Sequence, residues 1–80
     1  MREPVKTPKD LGRIIKKVRQ AQGVRQEDLA LMVPASHVFI IDVERGKPTA
    51  QIGKVMALLS ELGIELHVDT PDIPSTQPDA

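Results

Sequence analysis

The sequence predicts a mostly α-helical fold in which four short helices pack compactly and a single C-terminal strand pairs across a homodimer. Apolar residues recur at the i, i+3, i+4, i+7 spacing of a helical face, and Gly or Pro interrupts the pattern between successive helices. The 80 residues contain no cysteine and one aromatic residue, Phe39, so the core is thin and has no disulfide to stabilise it. Small cores of this kind often gain buried area by oligomerising.

The composition divides the chain into four segments. Residues 1–7 are polar and predict a flexible basic arm, residues 8–63 hold the helices, and residues 64–69 alternate apolar and polar side chains, as a half-buried strand does. Residues 70–80 contain three prolines and almost nothing to bury, which predicts a disordered tail.

The first helix is predicted to begin at Pro8 and to end before Gly23. Thr7 is a suitable N-cap, Pro8 suits the first helical position, and Asp10 lies where the helix dipole favours an anion. The apolar face of this helix is formed by Leu11, Ile14, Ile15 and Val18.

Two shorter helices are predicted next. One covers Gln26–Met32 and cannot continue through Pro34, because proline lacks the backbone N–H and clashes with the preceding turn. The other is predicted to be capped by Ser36 and to run to about Glu44, where a glycine and then a proline end it.

A fourth helix is predicted to start after Thr49, which can cap it, and to end at Gly63. Its inward face is predicted to consist of Ile52, Val55, Met56, Leu59 and Leu62.

The strand at residues 64–69 has no other strand in the chain with which to form a sheet. Its backbone N–H and C=O groups need partners if its apolar face is buried. The same strand of a second copy, related by a two-fold axis, meets that need. We therefore expect a homodimer joined through Ile64, Leu66 and Val68.

Charge is distributed unevenly, although the net charge of the chain is zero. Residues 1–25 hold eight basic and two acidic side chains, and residues 26–80 hold three basic and nine acidic ones. The excess is thus +6 in the first segment and −6 in the second. A basic face on a neutral molecule favours a polyanionic partner such as DNA, although a solvated lysine-rich helix has the same composition.

Several classes of function are not predicted. Two histidines and no cysteine make a metal site improbable, and no cofactor motif is present. Ser36 and His37 are adjacent and point in different directions on a helix, with no third residue at a useful spacing, so the chain is not predicted to be an enzyme. No signal peptide and no run of 18 apolar residues occurs, which excludes a membrane segment and makes the cytoplasm the expected compartment.

The segment from Leu11 to Leu62 has helix-turn-helix spacing. It contains the pattern L-G-x-x-I-x-x-x-R-x-x-x-G-x-x-Q-E-x-L-A, followed by I-x-x-V-E-R-G-K. This pattern resembles the Xre-type, lambda-repressor-like helix-turn-helix family over about two-thirds of the chain. Members of this family bind double-stranded operator DNA with the third helix in the major groove.

The resemblance implies roles for individual residues. It implies an ion pair between Arg19 late in the first helix and Glu44 at the end of the third; the alternative is two unrelated surface charges. It also implies that base edges face Ser36, His37, Val38 and Asp42. Val38 or Ile41 can pack on thymine methyl groups. Phosphates are expected near Arg25, Gln26, Arg45 and Lys47.

The sequence departs from the family pattern in and around the third helix. Arg25 stands where a capping Ser or Thr is usual, and Pro34 replaces the glycine of the turn. Phe39 and Ile41 replace small polar residues. Arg, Lys, Asn and Gln are absent from residues 36–44, so specificity is expected to rest partly on DNA shape or dimer spacing.

The helices, strand and tail together are similar to HipB-type antitoxins of HipBA toxin–antitoxin modules. That resemblance implies a dimeric repressor of its own operon that also binds a HipA-like kinase toxin. Two alternatives remain at this point. One is a protein-interaction module on a helix-turn-helix scaffold, in which Val38, Phe39 and Ile41 contact protein, and the other is a free-standing phage-type repressor.

Overall fold

Four α-helices account for the regular structure of the described residues, 2–72, in the computed structural model. They are α1 (Pro8–Ala21), α2 (Gln26–Met32), α3 (His37–Glu44) and α4 (Ile52–Glu61). Most of the predicted tail, residues 73–80, lies outside the described residues. No helix in this part of the chain is long and apolar enough to cross a membrane.

The beginning of α1 is fixed by reciprocal hydrogen bonds, and Thr7 is its N-cap residue, as the sequence predicts. The Thr7 hydroxyl accepts from the backbone N–H of Asp10 at 3.1 Å, and the Asp10 carboxylate accepts from the backbone N–H groups of Lys6 and Thr7 at 2.9 and 3.1 Å. These bonds, the one from Lys6 first, hold the pKa of Asp10 below its ordinary value. The helix ends before Gly23, whose φ of 71° favours glycine.

All four helices contribute to one apolar core. Ile15 of α1, Leu29 of α2, Ile40 of α3 and Leu58 of α4 are fully buried at its centre. Gly12 allows α1 to approach α3 closely, because a Cβ atom at this position would clash with the backbone carbonyl oxygens of Val43 and Glu44. This contact fixes where α3 lies on the domain.

The fourth helix differs from the prediction in its start and in its buried face. It begins at Ile52, not after Thr49, because the backbone N–H of Ala50 bonds to the Lys47 carbonyl at 3.4 Å in a turn that contains Thr49. Gln51 is the N-cap residue and makes no side-chain capping bond.

The core-facing side of α4 and the residues after it consists of Val55, Leu58, Leu59 and Leu62. Ile52 and Met56, which were expected to face inward, are 68% and 51% exposed. At 100° per residue these two lie roughly a quarter of a turn away from the core face. They form a second apolar stripe that the monomer leaves in solvent.

Residues 64–69 form no strand within the described chain. The backbone N–H of Ile64 bonds to the Leu59 carbonyl at 2.9 Å and completes the end of α4. Leu66 and Val68 are 52% and 75% exposed. A strand is defined by its hydrogen bonds to a neighbouring strand, and residues 2–72 provide none.

Candidate nucleic-acid interface

The helix-turn-helix consists of α2, α3 and the turn at residues 33–36. The turn contains no glycine and does not need one. Glycine is usually required where φ is positive, and none of the residues 33–36 has positive φ. The backbone N–H of Ala35 bonds to the Ala30 carbonyl at 3.1 Å, and the Ser36 hydroxyl accepts from the backbone N–H of Phe39 at 3.0 Å. Pro34 is therefore compatible with the turn, and Ser36 caps α3 as predicted.

The outward side of α3 carries the residues that the sequence assigns to base recognition. We call it the reading face, and it comprises Ser36, His37, Val38, Ile41 and Asp42. Ser36, His37 and Val38 are exposed, and Ile41 and Asp42 are half-buried. Ile40 and Val43 on the opposite side are buried in the core. Because these two residues are buried on one side, the other side of the N-terminal half of α3 is accessible to a partner.

Phe39 does not belong to the reading face. It packs against the core, and the Lys54 ammonium of α4 lies 5.8 Å from the centre of its ring. The interaction-module alternative predicts that Val38, Phe39 and Ile41 contact protein. Only Val38 and Ile41 lie on the reading face.

Arg19 and Glu44 lie against each other, as the resemblance implies. The Arg19 Nε donates to Glu44 Oε2 at 2.6 Å and Nη2 donates to Oε1 at 3.1 Å, while Nη1 donates to the Val24 carbonyl at 2.9 Å. The side chains are 9% and 3% exposed. This bidentate pair ties the end of α3 to α1 and to the loop before α2.

Gln26 extends this pair towards the reading face. Its side-chain Nε2 donates to Glu44 Oε1 at 2.9 Å, and its Oε1 lies 3.2 Å from Nε2 of His37. The first residues of α2 and α3 are therefore linked through their side chains. The sequence predicts Gln26 as a phosphate contact and has no signal for this bridging position.

Two of the predicted phosphate contacts are paired with acidic side chains. Arg25, the N-cap residue of α2, makes no capping bond and instead donates to Asp28 at 3.0 Å, which holds the pKa of Asp28 below its ordinary value. Lys47 lies 3.6 Å from Asp42 of the reading face. A phosphate has to compete with these carboxylates, so the attraction of DNA to Arg25 and Lys47 is weaker than their charges suggest.

A polar pocket of about 220 Å³ lies beside the reading face. It is lined by Lys16, Gln26, Ile41, Glu44 and Arg45. Lys16 joins the predicted Gln26 and Arg45 here, although no motif marks it. The one signal in the sequence is its position three residues before Arg19 on the same helix. Among the described residues, no cluster of side chains could hold a metal ion.

Comparison with known proteins finds a curated relative and several solved structures. No protein-family model matches the chain. An uncharacterised HTH-type transcriptional regulator of Sinorhizobium fredii (strain NGR234), y4mF, is 44% identical over 71 residues, which cover 89% of this chain and 93% of that protein.

Solved structures show the same fold. The structure named "HipB-O4 20mer complex" matches with a TM-score of 0.79 and 20% identity, over 89% of this chain and 100% of that chain. A HipA-HipB-O2-O3 complex gives the same values. The restriction-modification controller protein C.Esp1396I matches with a TM-score of 0.66 and 26% identity, over 72% of this chain and 77% of that chain. The four helices therefore have the arrangement found in HipB.

Proposed function

Since the chain belongs to the family of HTH-type transcriptional regulators, we propose that it is a homodimeric repressor that binds operator DNA with the reading face. The observation that carries this proposal is the hydrogen-bonded set of Arg19, Glu44 and Gln26. It locks α3 against α1 and α2 while leaving the N-terminal half of α3 exposed. A rigid exposed helix of this kind fits the major groove of B-DNA.

The proposed contacts divide into two kinds. Gln26, Arg45 and Lys47 lie beside the reading face. Together with Arg25 they would bind phosphates, which positions the domain on the duplex without reading sequence. Ser36, His37 and Asp42 would form hydrogen bonds to base edges, and Val38 and Ile41 would contact thymine methyl groups. These are expectations from the family resemblance that the exposure of the reading face supports.

The proposed homodimer combines the C-terminal segment with α4. Ile64, Leu66 and Val68 would form the strand that pairs with its copy, and the exposed side chains of Ile52 and Met56 would add apolar area. Of the six large apolar side chains that are at least half exposed among the described residues, four lie in these two segments, namely Ile52, Met56, Leu66 and Val68. Keeping them in water is unfavourable for a monomer. A two-fold interface removes these side chains from water.

At a finer level, we propose that the protein is the antitoxin of a HipBA-type module. It would repress its own operon and bind a HipA-like kinase toxin, and it would have no enzymatic activity, cofactor or metal of its own. The support is the likeness of fold to HipB chains, one of which was solved in a complex with HipA. A kinase-like reading frame directly beside this gene, with toxicity that co-expression of this chain relieves, is the expected result.

A protein-interaction module is the second candidate function. It is favoured by Val38, which is 64% exposed on the reading face, and by the absence of Arg, Lys, Asn and Gln from residues 36–44. A free-standing repressor differs from the antitoxin only in having no toxin partner.

DNA binding is tested with a labelled duplex from upstream of the gene, in fluorescence anisotropy at physiological salt. We expect that duplex to bind the dimer at least about a thousandfold more tightly than a scrambled duplex. The variant Lys47→Ala should weaken binding to both duplexes and reduce the slope of log affinity against log salt by about one.

No binding of folded protein at micromolar concentration would contradict the repressor proposal and favour the interaction module. Lys54→Ala is the matched control. Lys54 is on α4, where its ammonium group lies over the ring of Phe39 and not beside the reading face.

A further inference from the structure

A chain of hydrogen bonds runs from the buried ion pair to the first residue of α3. Glu44 is held by two bonds from Arg19, at 2.6 and 3.1 Å. Its Oε1 also accepts from Nε2 of Gln26 at 2.9 Å, and the Oε1 of Gln26 lies 3.2 Å from Nε2 of His37. The chain of bonds therefore passes from α1 to the end of α3, then to the start of α2, and returns to the first residue of α3 on the reading face.

The first link fixes the orientation of the Gln26 amide. An ionised carboxylate can only accept hydrogen bonds, so the Gln26 amide must present its N–H₂ group to Glu44. If the amide were flipped, two acceptor oxygens would meet at 2.9 Å, where one hydrogen bond now forms. The carbonyl oxygen of Gln26 must therefore face His37.

The second link then fixes the proton on the imidazole. The Gln26 carbonyl oxygen can only accept, so Nε2 of His37 has to be the nitrogen that carries hydrogen. In neutral imidazole one nitrogen donates and the other accepts. This leaves Nδ1 as the acceptor of the ring.

We infer that Glu44 and Gln26 are positioning residues that hold neutral His37 as the Nε2–H tautomer, so that His37 selects adenine or cytosine, the bases with a major-groove amino group, on the strand that it faces. Adenine N6 and cytosine N4 present such donors, whereas guanine N7 and O6 and thymine O4 only accept. The base preference rests on the proposed function, because it requires that the protein binds DNA. The tautomer of His37 does not, because it is a property of the free protein.

Gln26 retains one amide hydrogen after bonding to Glu44, because its N–H₂ group has two. That hydrogen can donate to a phosphate. Gln26 can thus contact the DNA backbone and orient His37 at the same time. The same side chain would then position the domain on the duplex and set which base His37 accepts.

The tautomer is tested by ¹⁵N NMR of the ring nitrogens in the full chain without DNA, at a pH well above the ordinary histidine pKa of about 6.5. We expect His37 to show the unmixed shifts of the Nε2–H form. The variant Gln26→Met keeps the side-chain length without an amide and should move the His37 shifts towards a tautomer average. Gln26→Asn, whose amide is too short to reach both partners, should do the same.

The control variant is Gln22→Met. It removes another amide bond, from Gln22 Nε2 to the Leu62 carbonyl at 2.8 Å. His67, which lies beside Glu65, serves as an internal reference whose shifts should stay unchanged in all three variants. A predominant Nδ1–H form of His37, or His37 shifts that are identical in wild type and both Gln26 variants, would overturn the inference.

The base preference is tested by selection from a duplex library randomised over about 20 base pairs, which spans two half-sites one helical turn apart. Wild-type protein should enrich A or C over G and T at one position per half-site, by about fivefold, the worth of one hydrogen bond. Both His37→Ala and Gln26→Met should lose this preference and keep the other enriched positions.

The outcomes of the selection distinguish failure of the proposed DNA recognition from failure of the proposed role of Gln26. No enrichment by the wild type would reject DNA reading itself. Enrichment that Gln26→Met leaves intact at every position would reject only the positioning role of Gln26.

Discussion

At the scale of single residues, the contacts that a side chain makes are harder to predict from the sequence than its position on a helix. The family resemblance implies the pair of Arg19 and Glu44, and the structure brings their side chains together. The role of Gln26 between Glu44 and His37, and the pairing of Lys47 with Asp42, could not be predicted. The bridge through Gln26 depends on how α2 and α3 are placed in space, which no local sequence pattern records. Lys47 and Asp42 meet at the end of α3, where no motif marks the pair.

The pair of Arg19 and Glu44 leads to a prediction about stability. Glu44→Ala leaves the guanidinium of Arg19 buried without its carboxylate, and we expect the free energy of unfolding to fall by about 3 kcal/mol or more. Replacing both residues should cost less than the two single changes together, because the double variant has no unpaired buried charge. Urea unfolding of the four proteins measures the coupling, and additive effects near zero would show two independent surface charges.

At the scale of helices, the starts and ends of α1, α2 and α3 could be predicted because caps, prolines and glycines act locally. The start of α4 could not, since a turn between Lys47 and Ala50 displaces it beyond Thr49. The buried face of α4 was also predicted incompletely. Both Leu58 and Ile52 fit an apolar helical stripe, and packing against the other three helices selects Leu58 for the core.

The close approach of α1 and α3 at Gly12 gives a prediction with a matched control. Gly12→Ala would place Cβ against the backbone carbonyl oxygens of Val43 and Glu44, so we expect a loss of about 1–3 kcal/mol of stability as the helices separate. Gly53 in α4 faces open space, since no atom lies within 4 Å of the position that a Cβ would occupy. Gly53→Ala should therefore stabilise the protein by about 0.5–1 kcal/mol, because alanine favours the helix. Equal effects of the two substitutions in thermal unfolding would contradict the packing of α1 on α3.

At the scale of the whole molecule, the excess of basic residues in the first 25 positions should attract DNA less strongly than the sequence suggests. Several of the cations of residues 1–25 lie beside carboxylates, as Arg13 does with Asp10 and Arg25 with Asp28. Affinity for DNA then depends less on total charge than on the few cations that a phosphate can reach. The four helices could be predicted from the sequence, whereas the strand at residues 64–69 and the homodimer stay predictions, because both depend on a second chain.

The homodimer leads to a prediction about size in solution. A chain that lacks residues 64–80 should be a monomer in multi-angle light scattering, because it loses the segment that contains Leu66 and Val68. Removing residues 70–80 alone is the control and should leave the dimer intact. A tight dimer after the longer truncation would contradict the proposed interface.

The central claim is that the reading face of α3 contacts bases, and Val38→Ala tests it most directly. Binding is measured on a panel of operator duplexes in which each base pair of one half-site is replaced in turn. If Val38 contacts a thymine methyl group, the variant should lose discrimination at one position per half-site, by about 1–3 kcal/mol, and keep the wild-type pattern elsewhere. An unchanged pattern at every position, or an equal loss at all of them, would contradict base recognition by α3.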